Sequence, residues 1–352
     1  MLEKVLMEFG IEGTPELFGD GHINTTYKIG EEYIVQKINK DIFTNVDGVM
    51  DNIFLVTDHI KQRLIAGGED FSRQTIEYLH TKSGGNYALD EKGDPYRAYH
   101  YIGKSYTVSD KKTTDMLYNA AKAIGKFQNL LSDFDAEKLF TVIPDFHNTP
   151  KRFAALKKTV SEDPKNRVKE VKPELDFAYS LEKMTGLITD AIDDGSVPLR
   201  VSHNDTKLNN ILFDNETNEG LCLIDLDTVM SGSYLYDFGD AMRFGASSAA
   251  EDCTELDKVY FDLELFEAFT KGYLESASGV LTEKEKELIY SSVIIMTYEC
   301  GIRFLKDYID GDIYFRIAYE KHNLDRARNQ FKLVKDMLEK KEAGEAIVKK
   351  YL

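Results

Sequence analysis

The chain has 352 residues, 42% of them hydrophobic and 30% charged, with a formal net charge of −17. That length exceeds what one compact core usually holds, so two packed lobes are expected. So acidic a chain has no chain-wide electrostatic reason to bind nucleic acid or an anionic membrane, and an anionic ligand would need local cations or a metal.

Residues 1 to about 100 read as β-rich, with helices at their start and middle. Thr25–Ile29 and Tyr33–Ile38 flank Gly30-Glu31-Glu32, a hairpin pattern. Val49, Ile53, Val56, Ile60 and Leu64 recur at helical spacing. Tyr87-Ala88-Leu89 and Tyr96–Ile102 flank a second polar turn. After residue 102 the helical period takes over: Asp115 to Leu131 is amphipathic, and 170–194, 255–276, 282–308 and 322–340 are predicted helical. One β-island interrupts them, Asn210–Phe213 and Gly220–Ile224 around a polar turn. The expected class is α+β and bilobal: a β-rich lobe at 1–101, a linking strand near 97–102 and a mainly helical lobe at 102–352.

The three cysteines, Cys222, Cys253 and Cys300, are scattered without a CxxC pair. This argues against a disulfide framework or structural zinc and fits a reducing compartment. Cys222 sits in an apolar run, where a buried inert thiol is expected. The start MLEKVLMEFG lacks the pattern of a secretory signal, and no uninterrupted apolar stretch approaches membrane-spanning length. A cytoplasmic address is therefore expected.

The densest polar cluster, Val201-Ser202-His203-Asn204-Asp205-Thr206-Lys207-Leu208-Asn209-Asn210, runs straight into the β-island, whose second strand ends in Ile224-Asp225-Leu226-Asp227. A hairpin brings its outer ends together, so Asn210 and Asp225 should lie close. An amide oxygen and a carboxylate at one point suit Mg²⁺. Asp205 sits on the loop just before, and Lys207 is placed to neutralise a phosphate oxygen. A carboxylate at the nucleophile, a metal on the phosphates and cations for developing charge are what phosphoryl transfer needs. His203 reads as a structural histidine orienting the loop. Asp227 shares the face of Asp225 if the strand persists and is open to either a metal-assisting or a structural role.

The spacing His203-x-Asp205-x-x-x-x-Asn210 followed by Asp225 resembles the catalytic and metal loops of the protein-kinase-like superfamily, nearest its aminoglycoside phosphotransferase and choline kinase branch. Phe18–Tyr27 resembles the phosphate-covering turn without a full GxGxxG. The resemblance places the phosphate-contacting lysine at Lys37, with Asp51 on the following helix where the family carries a glutamate. It docks the adenine of ATP against Tyr99, Tyr101 and Ile102, where nothing dictates ATP over GTP. Further segments, Gly21–Asn24, Phe146–Phe153, Ile224–Thr228, Phe238–Phe244 and Glu299–Tyr308, resemble the N-acetylhexosamine 1-kinases. That resemblance implies transfer of the ATP γ-phosphate to an anomeric hydroxyl, with His22, Phe244, Arg303 and Tyr314 lining the sugar pocket. Kinases for choline, an amino alcohol, an aminoglycoside or another sugar remain open, as does a nucleotide-binding pseudoenzyme.

Overall fold

A computed structural model describes residues 2–19, 24–108 and 112–352. Helix α1 (Leu2–Phe9) is followed by β1 (Pro15–Leu17), β2 (Thr25–Ile29), β3 (Tyr33–Lys37), α2 (Val46–Ala66), β4 (Ala88–Leu89) and β5 (Pro95–His100). The five strands form one antiparallel sheet in the order β1-β2-β3-β5-β4. Both predicted strand pairs are present. Alternation along the strands gives the sheet two faces. Val5, Leu6 and Phe9 of α1 cover Ile29, Val35, Tyr96 and Ala98 on one of them. The opposite face carries Thr26, Gln36 and Arg97, which hydrogen-bond to one another along a row.

Helix α2 starts where Asn45 accepts from the Gly48 amide at 2.9 Å, relieving one of the unpaired N–H groups of the first turn. Its predicted stripe of Val49, Ile53, Val56, Ile60 and Leu64 is buried. That stripe joins the same core as the C-terminal helices, so the two lobes share apolar packing.

The chain leaves the first sheet at His100, and β6 (Ser105–Tyr106) already pairs with the β-island. Arg73 ties down this crossing by donating to the carbonyls of Gly103 and Lys104, each at 3.0 Å, and to Asp214. The rest is helical: α3 (Thr114–Leu130), α4 (Thr149–Glu162), α5 (Lys172–Ser180) and α6 (Thr189–Asp193) come first. Then β7 (Arg200–Ser202), β8 (Ile211–Asp214), β9 (Gly220–Leu223) and β10 (Met230–Gly232) lead to α7 (Tyr234–Gly245), α8 (Leu263–Ala277), α9 (Glu283–Asp310), α10 (His322–Glu339) and α11 (Lys341–Tyr351).

The single helix expected over 170–194 is instead α5, a short turn at Glu182–Met184 and α6, broken around Thr185-Gly186. The helix expected from 255 begins at Leu263, because the Asp262 side chain caps it. Helix α9 has a full capping box of Thr282 and Glu285 and stops at Gly311, which has φ 104°. By length and composition α9 could cross a membrane, but 83% of its most apolar stretch is buried in the fold. It packs against α7 at Gly239, where an added Cβ would come within 2.6 Å of the Ser292 carbonyl oxygen. Cys222 is buried, and burial pushes its thiol up to about 12, matching an inert core residue.

Candidate active site

The loop after β7 is held from three sides. His203 is fully buried, and its Nε2 donates to the Ile224 carbonyl at 2.9 Å. That leaves Nδ1 to accept the Asp205 amide at 3.2 Å. The histidine therefore joins the Asp205 loop to the Asp225 segment, as expected. The Thr228 hydroxyl donates to the His203 carbonyl at 2.7 Å, and the Asn204 amide donates to the Thr228 carbonyl at 2.9 Å. Asn204 has φ 66° and Asp225 φ 60°. Both are left-handed conformations that Asn and Asp tolerate better than other side chains, and such strain persists where the surroundings enforce it.

Within this buried loop Asp205 and Lys207 remain accessible, at 30% and 39% of their side chains. The Lys207 ammonium lies 2.9 Å from Asp205 Oδ1, and Asn210 Nδ2 donates to Asp205 Oδ2 at 2.9 Å. Burial would push the Asp205 carboxyl up, but the Lys207 charge and the hydrogen bonds from Lys207 and the Asn210 amide outweigh it and hold the group below the usual carboxylate range. Asp205 is thus ionised at neutral pH, the state a hydroxyl-orienting base requires. Burial works against the Lys207 charge, and the carboxylates of Asp205 and Asp240 overcome it, raising its pKa.

The hairpin brings the backbone of Asn210 beside Ile224, the residue before Asp225. The Ile224 amide donates to the Asn210 carbonyl at 2.9 Å, and Ile211 pairs with Leu223. Because Asn210 Nδ2 is spent on Asp205, its side-chain oxygen is left as an acceptor. Burial and then the Asp227 charge push the Asp225 carboxyl up to about 7, marking a carboxylate that a cation would stabilise. Among the described residues no group of three or more His, Cys, Asp or Glu gathers to enclose a metal. Two hard oxygen donors that leave room for phosphate and water oxygens are the set Mg²⁺ commonly uses, so the residues fit that ion.

Asp227, open to two roles on sequence grounds, is taken by an ion pair between the lobes. Both terminal nitrogens of Arg97 donate to its carboxylate, and Asn24 Nδ2 donates to Oδ2 at 2.5 Å. Arg97 and Asp227 are almost fully buried, at 1% and 4%.

The expected Lys37–Asp51 pair does not form. Lys37 shares the α1-covered face of the sheet with Val35, and its ammonium meets Asp94 at 2.5 Å. Strand parity is the reason: neighbouring residues on a strand point to opposite faces, so Gln36 takes the inward position beside Arg97. Asp51 accepts from Asn86 at 2.8 Å and lines a separate hollow of about 640 Å³ with Phe54, His59 and His80. The inward cations of this sheet are Arg97 and Lys28, whose ammonium lies 4.3 Å from the Tyr101 ring centroid. Burial raises the Tyr99 hydroxyl to about 12, Arg97 opposes the rise, and the charges of Asp225 and Asp227 add to it. Ile102 is buried at the crossing between the lobes.

Of the four residues assigned to the sugar pocket, His22 lies outside the described residues. Arg303 and Tyr314 line one cavity of about 190 Å³ together with Arg152, Asp307 and Phe315. Phe244 is not among its lining residues. It sits at the end of α7 under the Lys112 ammonium, 4.4 Å from the ring centroid.

The residue most clearly missed on sequence grounds is Asp237. It is fully buried in the first turn of α7 and accepts from Ser202 Oγ at 2.9 Å, the His203 amide at 3.1 Å, the Asn204 amide at 2.8 Å and Gln128 at 3.2 Å. Its carboxylate fastens the backbone immediately before Asp205. Replacing it with alanine strands two buried backbone N–H groups, so Asp237→Ala should lower stability by about 2–4 kcal/mol in denaturant unfolding. A loss below about 1 kcal/mol would mean the loop holds itself.

A profile of the phosphotransferase enzyme family matches residues 14–272. The structure is similar to an aminoglycoside phosphotransferase from Alicyclobacillus acidocaldarius at TM-score 0.65 and 12% identity, covering 99% of this chain and 95% of that one. It is also similar to a choline/ethanolamine kinase family protein from Mesorhizobium loti at TM-score 0.59 and 15% identity, over 99% and 97% of the two chains. A spectinomycin phosphotransferase in complex with ADP and spectinomycin matches at TM-score 0.57 and 14% identity, over 97% of each chain. With the family profile spanning most of its length, the chain belongs to the phosphotransferase enzyme family and is a small-molecule kinase acting on alcohol groups.

Proposed function

We propose that this enzyme transfers the γ-phosphate of ATP to the anomeric hydroxyl of an N-acetylhexosamine, giving the sugar 1-phosphate. The observation that carries the kinase chemistry is the accessible, ionised Asp205 held between Lys207 and Asn210. Asp205 accepts a hydrogen bond from the acceptor hydroxyl, aims its oxygen at the γ-phosphorus and takes its proton as the new P–O bond forms and the bond from the γ-phosphorus to the β–γ bridging oxygen breaks, releasing ADP. Lys207 moves from Asp205 to the transferring phosphoryl group and offsets its charge. Asn210 and Asp225 would hold magnesium, which supplies charge neutralisation on the nucleotide phosphates. Arg97 and Lys28 face the same side as Tyr99, which supports a nucleotide seat under this sheet.

The sugar assignment rests on the segments that resemble the N-acetylhexosamine 1-kinases and on the cavity that Arg303 and Tyr314 share. Two measurements test it. Turnover on a panel of N-acetylhexosamines, other sugars, choline and an aminoglycoside should favour the first class, and phosphorus NMR of the product should show coupling to an anomeric proton. Coupling to a methylene, or turnover of choline alone, would refute the sugar reading and leave the kinase chemistry intact. A 1-deoxy sugar should inhibit without being phosphorylated, since it keeps the ring and lacks the nucleophile. Arg303→Ala should raise the acceptor KM about tenfold or more, the equivalent of a lost hydrogen bond worth about 1–3 kcal/mol, with a smaller change in the ATP KM. Equal changes in both would remove Arg303 from the acceptor site.

A further inference from the structure

The cavity between α4 and α9 holds two guanidinium groups that pair with no carboxylate among the described residues. Among the described residues Arg152 donates only to the Phe146 carbonyl, from Nε at 3.3 Å and Nη2 at 3.1 Å. Arg303 is boxed by Phe146, Phe315 and Tyr314, at 5.6, 5.5 and 6.0 Å from their ring centroids. Burial and then the charge of Arg303 lower the pKa of Arg152, while Glu299 and Asp145 oppose the shift from a distance, so the two cations repel each other and neither is in a direct ion pair among the described residues. The deeper arginines behave differently. Arg97, Arg200 and Arg243 each meet a carboxylate, as buried cations ordinarily must.

The carboxylates around the cavity are already engaged. Asp307 accepts the backbone amides of Ile313, Tyr314 and Phe315 and the side chain of Asn323. Asp310 is bound by Lys306 and Thr159. Glu299, one turn before Arg303, is held by His147 at 3.0 Å and Thr149 at 2.7 Å. His147 in turn reaches the Asn204 carbonyl at 3.3 Å, the residue next to Asp205. The cavity therefore stands one helical turn from the support of the catalytic loop. It presents two planar forks, of which Arg152 has already given two N–H groups to Phe146, an aromatic wall and, among the described residues, no carboxylate bonded to either guanidinium.

We infer that Arg152 and Arg303 act as a pair that recognises an oxygen-acceptor group on the phosphoryl acceptor, an amide carbonyl or a carboxylate, and repels acceptors that carry a positive charge there. The inference rests on the acceptor site proposed above and adds Arg152 as a specificity-determining residue. Guanidinium forks bind such oxygens bidentately, and leaving them unmatched forfeits the discrimination that a buried polar site provides. A protonated amine would instead meet two like charges in a partly desolvated site.

The test compares wild type with Arg152→Gln and Arg152→Lys on N-acetylglucosamine, glucuronate, glucose, glucosamine and choline, at about pH 6.5 so that the amine is protonated. Wild type should use N-acetylglucosamine or glucuronate at a lower KM than glucose, and glucosamine and choline poorly. Arg152→Gln should raise the KM for the oxygen-bearing acceptor about tenfold or more, with kcat and the ATP KM within about twofold and the glucose KM unchanged. Arg152→Lys, which keeps the charge, should recover part of the loss and carries the comparison if the glutamine variant does not fold. Sugar turnover with an unaltered acceptor KM in the folded variants would overturn the guanidinium pair alone. Preference for glucuronate would remove the N-acetylhexosamine reading and leave the pair standing. Turnover of choline in place of every sugar would remove both.

Discussion

Asp205→Asn is expected to leave a folded, nucleotide-binding protein whose turnover falls at least about a hundredfold. The loop around Asp205 does not depend on its carboxylate. It is fastened by Asp237, by His203 and by Thr228, so the substitution is not expected to disturb the backbone. What changes is the chemistry. The carboxylate accepts from Lys207 and Asn210 and still exposes part of its surface. An asparagine offers one accepting oxygen and a nitrogen that cannot take a proton, and it no longer balances the Lys207 charge. The loss should therefore fall on kcat, with the ATP KM changing little. Unimpaired turnover by the purified variant would show that another group orients the hydroxyl.

Asp225→Ala and Asn210→Ala should produce the next largest effect, and its signature is the magnesium titration. Each removes one of the two protein oxygens assigned to the ion, so both variants should need more magnesium for half-maximal rate and turn over about tenfold to a hundredfold more slowly, with acceptor binding spared. A pH series adds a signed expectation. Burial, with the Asp227 charge behind it, holds the metal-free Asp225 carboxyl near about 7, so protons compete with the cation below that value. The magnesium requirement of the wild type should rise as pH falls from about 8 toward about 6 and be flat above it. Asn210→Ala should keep that pH dependence and Asp225→Ala should lose it. An unchanged magnesium titration in either variant would show that the residue is not a ligand.

Much of this site was legible because it is written in short spacings. Residues 203–210 and 225 lie on a loop and a hairpin, and a hairpin joins its ends whatever the rest of the chain does. The apolar period of α2, α3, α9 and α10 likewise reports its own buried face. Helix α4 was missed although Asn148 caps it and Pro150 stands in its first turn, a start signal that its weak apolar period obscured.

Other features were decided only by folding. Lys37 and Gln36 are neighbours in sequence, and nothing local says which faces inward; docking of α1 on one side of the sheet settles it in favour of Gln36. Asp227 finds Arg97 across 130 positions and Asp237 finds the Asn204 amide across 33, pairings that no motif encodes because they depend on how β5, β10 and α7 pack. The loose guanidinium groups of Arg152 and Arg303 are of the same kind. By itself the sequence determined the phosphoryl-transfer loop, since its parts are joined by a few bonds of backbone. Tertiary structure alone decided which cations are neutralised and which stay free, because charge neutralisation depends on distance in space and burial, and neither follows from separation along the chain.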